Sequence, residues 1–142
     1  APFTDDFAHV RTEGKAKVVK ESQDEIAAVD STGVCAFTHG ALDLADFAEQ
    51  IDAACQGEWT AERLAETGER IWNLERQFNL AAGFTVADDT LPQRILKDAA
   101  KTGAGKGRVA ELSVMLPEYY ELRGWDKKGV PKKATLKRLD LA

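Results

Sequence analysis

Apolar residues in this chain recur at intervals of three and four and almost never at two, which restricts it to helices packed on helices. Val18, Val19, Ser22, Ile26 and Val29 trace one such stripe, with lysines and acids on the other side, until Gly33 interrupts it. The spacing predicts an amphipathic helix from about Thr12 to about Val29. Asp43 suits the N-cap of a second helix, whose buried stripe is expected to be Phe47, Ala48, Ile51, Ala54 and Cys55 and whose stop is Gly57. Thr60 suits the cap of a third, and Trp59 just before it is placed to pack on Leu64 as a hydrophobic staple. The third stripe reads Leu64, Gly68, Ile71, Glu75, Phe78 and Ala82. Arg70, Asn73, Glu75 and Arg76 surround this helix instead of gathering on one solvent face, so some of them are expected to meet protein.

Gly83 can end the third helix, and Asp88, Asp89, Thr90 and Pro92 form a loop rich in turn residues. A helical stretch is expected over Val109 to Met115. Pro117 would then sit in the first turn of a further helix that runs through Tyr119, Tyr120 and Leu122 to a stop at Gly124. A short basic helix over Lys133 to Leu141 follows Pro131. No internal repeat appears. The expected fold is therefore all-α, an irregular domain of about five to six helices, with residues 1–142 forming one helical unit. The first 11 residues show no period and read as the continuation of something upstream.

Composition narrows the function classes. At 142 residues and 44% hydrophobic content, the chain can bury about two-thirds of the surface its unfolded form exposes. Net charge is −5, and 19 basic residues are scattered among 24 acidic ones, so no face is set aside for phosphates; a nucleic-acid partner is not expected. No apolar run approaches the roughly 20 residues a membrane span needs, and the first residues do not have the pattern of an export signal. No membrane partner and a cytoplasmic location are expected. Two cysteines, Cys35 and Cys55, are too few for a disulfide framework, which also favours a reducing compartment.

The segment Asp30-Ser31-Thr32-Gly33-Val34-Cys35 is the most informative one chemically. It sets a carboxylate at a helix end and a thiol five residues on, across a glycine that lets the backbone turn tightly against a flat ligand. The carboxylate can accept paired N–H bonds from a guanidine-like heterocycle, and a thiolate can bind metal. The plainer alternative is equally simple: Asp30 ends a turn, Gly33 is a C-cap residue, and Cys35 is a small buried hydrophobe. Spacing alone favours that alternative, because a single cysteine is a weak metal signal.

Asp-x-x-Gly-x-Cys resembles one of the two pterin-binding motifs of the aldehyde ferredoxin oxidoreductase family. Further strings resemble that family in the same order. Ahead of the motif stand Thr12 to Ala16, Val18 to Lys20 and Gln23-Asp24; behind it come Gly68 to Asn79, Gly83-Phe84-Thr85 and Asp88 to Arg94. The tail Met115 to Trp125 is similar to the family's end, so the resemblance covers most of the chain.

The resemblance implies the C-terminal helical part of a tungsten (or molybdenum) bis-pterin enzyme. Such an enzyme oxidises small-molecule aldehydes to carboxylic acids and passes electrons to ferredoxin or another electron-transfer protein. It implies that Asp30 hydrogen-bonds a pterin, that the main chain at Gly33 and Val34 lies against the ring, and that Cys35 is one of four thiolate ligands of a [4Fe-4S] cluster. No catalytic residue is assigned. The sequence departs from the full family pattern: it has no Cys-x-x-Cys-x-x-x-Cys group, no first pterin motif and no N-terminal β-rich platform. The expected partner is thus the remainder of the same enzyme, and the fragment is expected to be inactive alone. Two alternatives remain: a non-catalytic helical assembly module, and a family member acting on another substrate such as an aromatic thioester.

Other residues read more plainly. His39 follows the motif closely enough to reach a substrate cavity, although an ordinary loop histidine explains it more simply. His9 has no assigned role. Cys55 is expected in the core, at a cost of roughly 1–3 kcal/mol if replaced by a serine buried without a partner. Arg70 and Arg76 are expected to be ion-pair partners. The Gly-Lys pair at Gly105-Lys106 lacks the strand before it and the Ser or Thr after it that a phosphate loop needs, so residues 99–107 read as an exposed connection.

Overall fold

The computed structural model describes residues 11–142, without the side chains of Ala36 and His39; the lead segment and His9 lie outside the described residues, as does any role of the His39 imidazole. Six α-helices follow in order among the described residues: α1 Lys15–Ser31, α2 Leu44–Cys55, α3 Ala61–Ala81, α4 Gln93–Lys97, α5 Leu112–Leu122 and α6 Lys133–Arg138. A 3-10 turn over Ala36–Gly40 links α1 to α2. The class is all-α; among the described residues the β pairing is an isolated bridge between Trp125 and Pro131. No described helix is long and apolar enough to cross a membrane.

Local chemistry sets the helix starts. Asp43 caps α2, its carboxylate accepting from Ala45 N at 2.9 Å and Asp46 N at 3.1 Å, while Asp46 returns an acceptor to Asp43 N at 2.9 Å. This reciprocal capping box satisfies donors that would otherwise be orphaned. Thr60 caps α3 by accepting from Arg63 N. Trp59 packs against the apolar cluster of Ala28, Val29, Phe47, Ala48 and Leu64, as the staple reading anticipates.

Packing departs from the sequence stripes in four places. On α1, Val18, Val19 and Ile26 are largely exposed; the buried row is Ala16, Asp24, Ala28 and Val29. α1 lies very close to α3 where Gly68 meets the main chain of Asp24, which favours the short side chain of Ala28 one turn on. On α3, Phe78 and Glu75 are exposed, whereas Leu64, Gly68, Asn73 and Arg76 are buried. On α2, Ala54 and Cys55 are exposed, so the core position expected for Cys55 is corrected: the apolar cluster takes only the Phe47 and Ala48 end of that face, with Ile51 partly buried. Pro117 does not open a helix but stands inside α5, which runs unbroken from Leu112 to Leu122. It forgoes one helical hydrogen bond, which the packing of Tyr120 and Trp125 offsets.

Polar residues tie the ends of the chain to the middle. Arg123, fully buried, pairs with the carboxylate of Asp24 and donates to Gln23 Oε1 at 2.9 Å and Tyr119 Oη at 2.9 Å. Arg76 makes a two-pronged pair with Asp89 at 2.8 and 2.6 Å and lies over the Trp125 ring. Asn73 accepts from Trp125 Nε1 at 2.8 Å, and Arg70 Nε donates to Leu139 O at 2.8 Å. The expectation that polar α3 residues meet protein is met by Arg70, Asn73 and Arg76.

Candidate functional site

The end of α1 is closed from within. Ser31 Oγ donates to Ala28 O at 2.7 Å and Thr32 Oγ1 to Val29 O at 2.7 Å, so short hydroxyl side chains satisfy carbonyls that the helix end leaves unpaired. Gly33 N then donates to Asp30 O at 3.2 Å, and Gly33 takes φ +76°, a left-handed conformation that costs other residues a Cβ clash. Nothing lies within 4 Å of where a Cβ on Gly33 would stand, so the backbone here is open on its outer side. Val34 N donates to Thr32 Oγ1 at 3.1 Å, and Cys35 O accepts from Thr38 Oγ1 at 2.7 Å. Both contacts hold the strand-like Cys35, φ −61° and ψ 122°, at the entry to the 3-10 turn.

All four residues of interest are thus presented outward. Asp30, Gly33 and Val34 are exposed, and Cys35 is an exposed free thiol. The reading of Cys35 as a buried small hydrophobe fails, because the 3-10 turn carries it away from the core cluster. No other described residue engages the Asp30 carboxylate. Its place is electrostatically unfavourable, since the C-terminal turn of a helix carries partial negative charge and the last turn of α1 holds no basic residue. A carboxylate kept where local physics disfavours it is the kind of residue that binding explains better than folding does.

Around Asp30 the surface is concave. A groove of about 480 Å³ between α1 and α3 is lined by Ile26, Asp30, Ile71, Trp72 and Glu75 among others. The sequence stripe assigns Glu75 to the core, whereas its exposed carboxylate lines the same groove as Asp30. Its position follows from the packing of α3 on α1, which no local pattern encodes. Phe37, two residues beyond Cys35 in an apolar link, is 96% exposed.

One outward thiol and one outward carboxylate, flanking an open glycine, fit a partial grip on a cofactor that lies outside this chain's own surface. They do not fit a self-contained metal site: among the described residues no three His, Cys, Asp or Glu side chains converge. A four-ligand cluster would therefore need three ligands from elsewhere.

Residues 2–141 match the family model for aldehyde ferredoxin oxidoreductase, domains 2 and 3. The chain is 42% identical over 135 residues to a tungsten-containing aldehyde ferredoxin oxidoreductase of Pyrococcus furiosus, covering 94% of this chain and 22% of that protein. The corresponding protein of Thermococcus kodakarensis is 42% identical over 122 residues, covering 85% and 20%. In three dimensions the chain resembles the active-site complex BamBC of benzoyl coenzyme A reductase in complex with 1,5-dienoyl-CoA. The TM-score is 0.75 at 25% identity, over 97% of this chain and 20% of that one. The chain spans about a fifth of the length of the relatives it matches. On these grounds the chain belongs to the aldehyde ferredoxin oxidoreductase family of oxidoreductases.

Proposed function

We propose that residues 1–142 form the C-terminal helical unit of a tungsten (or molybdenum) bis-pterin enzyme that oxidises aldehydes to carboxylic acids, with ferredoxin or another electron-transfer protein as acceptor. The observation that supports this reading is the outward pair Asp30 and Cys35 across the open backbone of Gly33, at a helix end that electrostatically disfavours a carboxylate. Asp30 accepts N–H bonds from a pterin, and the main chain of Gly33 and Val34 lies along its ring. Cys35 donates its thiolate as one of four ligands of a [4Fe-4S] cluster. When bound, these groups supply the two-electron oxidation and the route by which electrons leave. The chain's own residues bind and orient: a single six-residue loop that touches both pterin and cluster keeps the two redox centres close together. The remaining cluster ligands and most of the substrate cavity belong to the rest of the enzyme.

Likeness to benzoyl coenzyme A reductase keeps an aromatic thioester as the second substrate class. Identity of 42% to the aldehyde enzymes against 25% to that structure favours the aldehyde. A non-catalytic helical module is the reading to fall back on if the upstream sequence lacks three closely spaced cysteines.

The test is Cys35→Ser in the full-length enzyme. Exchanging a soft thiolate for a harder hydroxyl on iron is expected to give a labile or three-iron cluster and a large loss of turnover. Iron content and paramagnetic resonance read the outcome; a full four-iron signal with normal turnover overturns the assignment.

A further inference from the structure

A second concavity lies at the other end of α1. It has a volume of about 650 Å³, and Arg11, Lys15, Arg94 and Arg108 line it together with Asp98 and Glu111. Hydrogen bonds bring these residues, distant in sequence, to one place. Thr12 Oγ1 donates to the Glu111 carboxylate and Lys15 N donates to Thr12 O at 3.2 Å, which fixes the start of α1 against the start of α5. Ala100 N donates to Arg108 O at 3.0 Å and closes the 100–108 loop on itself. Ala110 N donates to Ile95 O at 3.0 Å and moors the end of that loop on α4, the helix that carries Arg94. Among the described residues the concavity shares no lining residue with the groove that holds Asp30. Lys15 and Asp30 stand about 22 Å apart along the axis of α1.

The geometry points to a small-molecule anion site here, suited to a phosphate monoester on an apolar body. Four cations against two carboxylates leave an excess of two positive charges in the lining, although the chain as a whole carries a net charge of −5. A phosphate monoester, close to doubly charged near neutral pH, matches that excess better than a singly charged carboxylate does. Three of the cations are arginines, whose planar forks of N–H donors meet phosphate oxygens two at a time. Ile95, Val109 and Met115 add an apolar wall for the organic part, and Gly105 leaves the main chain of the loop open to close approach. Each cation comes from a different stretch of chain, so packing creates the excess where the sequence shows only evenly scattered charge. Asp98 opposes an anion from within the same lining and holds its affinity down. A ligand held here is independent of the cofactor contact proposed for Asp30.

The experiment is calorimetric titration of the full-length enzyme with phenyl phosphate, inorganic phosphate and benzoate. Phenyl phosphate should bind most tightly, inorganic phosphate more weakly for want of an apolar body, and benzoate more weakly for want of the second charge. Arg94→Gln removes one fork of donors and should weaken phenyl phosphate about tenfold, the scale of one lost hydrogen bond to a charged group. Arg108→Gln should do the same and stands in if the first variant fails to fold. Asp98→Asn removes the opposing carboxylate and should tighten phenyl phosphate about threefold at low salt. A merely structural role for these residues would not produce tighter binding. No saturable binding of phenyl phosphate, or an affinity unchanged in both arginine variants, overturns the site. Benzoate bound as tightly as phenyl phosphate overturns the phosphate assignment, and inorganic phosphate bound as tightly overturns the apolar wall.

Discussion

A Cβ on Gly68 of α3 would stand 1.8 Å from the carbonyl oxygen of Asp24 in α1, so the two longest helices meet backbone to side-chain-free backbone at this point. On an open helix surface, Gly→Ala would stabilise by about 1 kcal/mol through propensity alone. Here the added methyl meets main chain, which cannot rotate away. Gly68→Ala should therefore destabilise the fold, at or above the upper end of the roughly 1–3 kcal/mol typical of overpacking. Urea denaturation reads the sign, and a stabilised variant would refute the close approach.

Asp24 on that same turn faces the fully buried Arg123, with Lys20 Nζ at 2.8 Å as a second partner. Removing Arg123 leaves the buried Asp24 carboxylate with Lys20 as its remaining cationic partner, so Arg123→Met is expected to cost about 3 kcal/mol, the lower end of the range for breaking a buried pair. Adding Asp24→Asn removes the stranded charge. The double variant should then be less damaged than the sum of the two single ones, a coupling that denaturant melts of all three can measure. Strict additivity would show that the pair contributes nothing as a pair.

Cys55 stands exposed at the last position of α2. Cys55→Ser is accordingly expected to change stability by less than about 0.5 kcal/mol, as for most surface substitutions away from special features. In the full-length enzyme it should leave the iron content unchanged, in contrast to Cys35→Ser. Loss of iron in the Cys55 variant would reverse the ligand assignment.

The chain's two tyrosines both resist ionisation. Burial pushes the Tyr119 phenol up, and burial together with a hydrogen bond to the Asp89 carboxylate pushes Tyr120 up further. The folded values are raised, so the stability they contribute is fully present below the ordinary tyrosine value of 10.0 and is lost as pH rises from there toward the folded values. Phenolate absorbance of the folded chain should stay low just above that value and appear together with loss of helical circular dichroism. Two phenols titrating near 10.0 while the helix signal persists would contradict the buried placement.

Short-range chemistry was legible in the sequence. The Asp43 cap, the Thr60 cap and the glycine at the end of α1 each join groups within a few residues, so spacing alone specifies them. The Asp30 to Cys35 loop, the proposed cofactor contact, is likewise one contiguous stretch, so its residue types can be read directly from the sequence. The tertiary structure decided what is buried. Asp24 pairs with Arg123 from 99 residues away and Trp125 binds Asn73 from 52 away, so polar residues entered the core while Val18, Ile26 and Phe78 stayed outside. Hydrophobic periodicity reports which face of a helix is apolar, but the neighbour that arrives determines which face is covered, and a close backbone contact at a glycine favours small residues over large apolar ones. The same long-range packing set Ile71 and Glu75 of α3 beside Asp30, and turned a loop with suggestive residues into a groove with one open side.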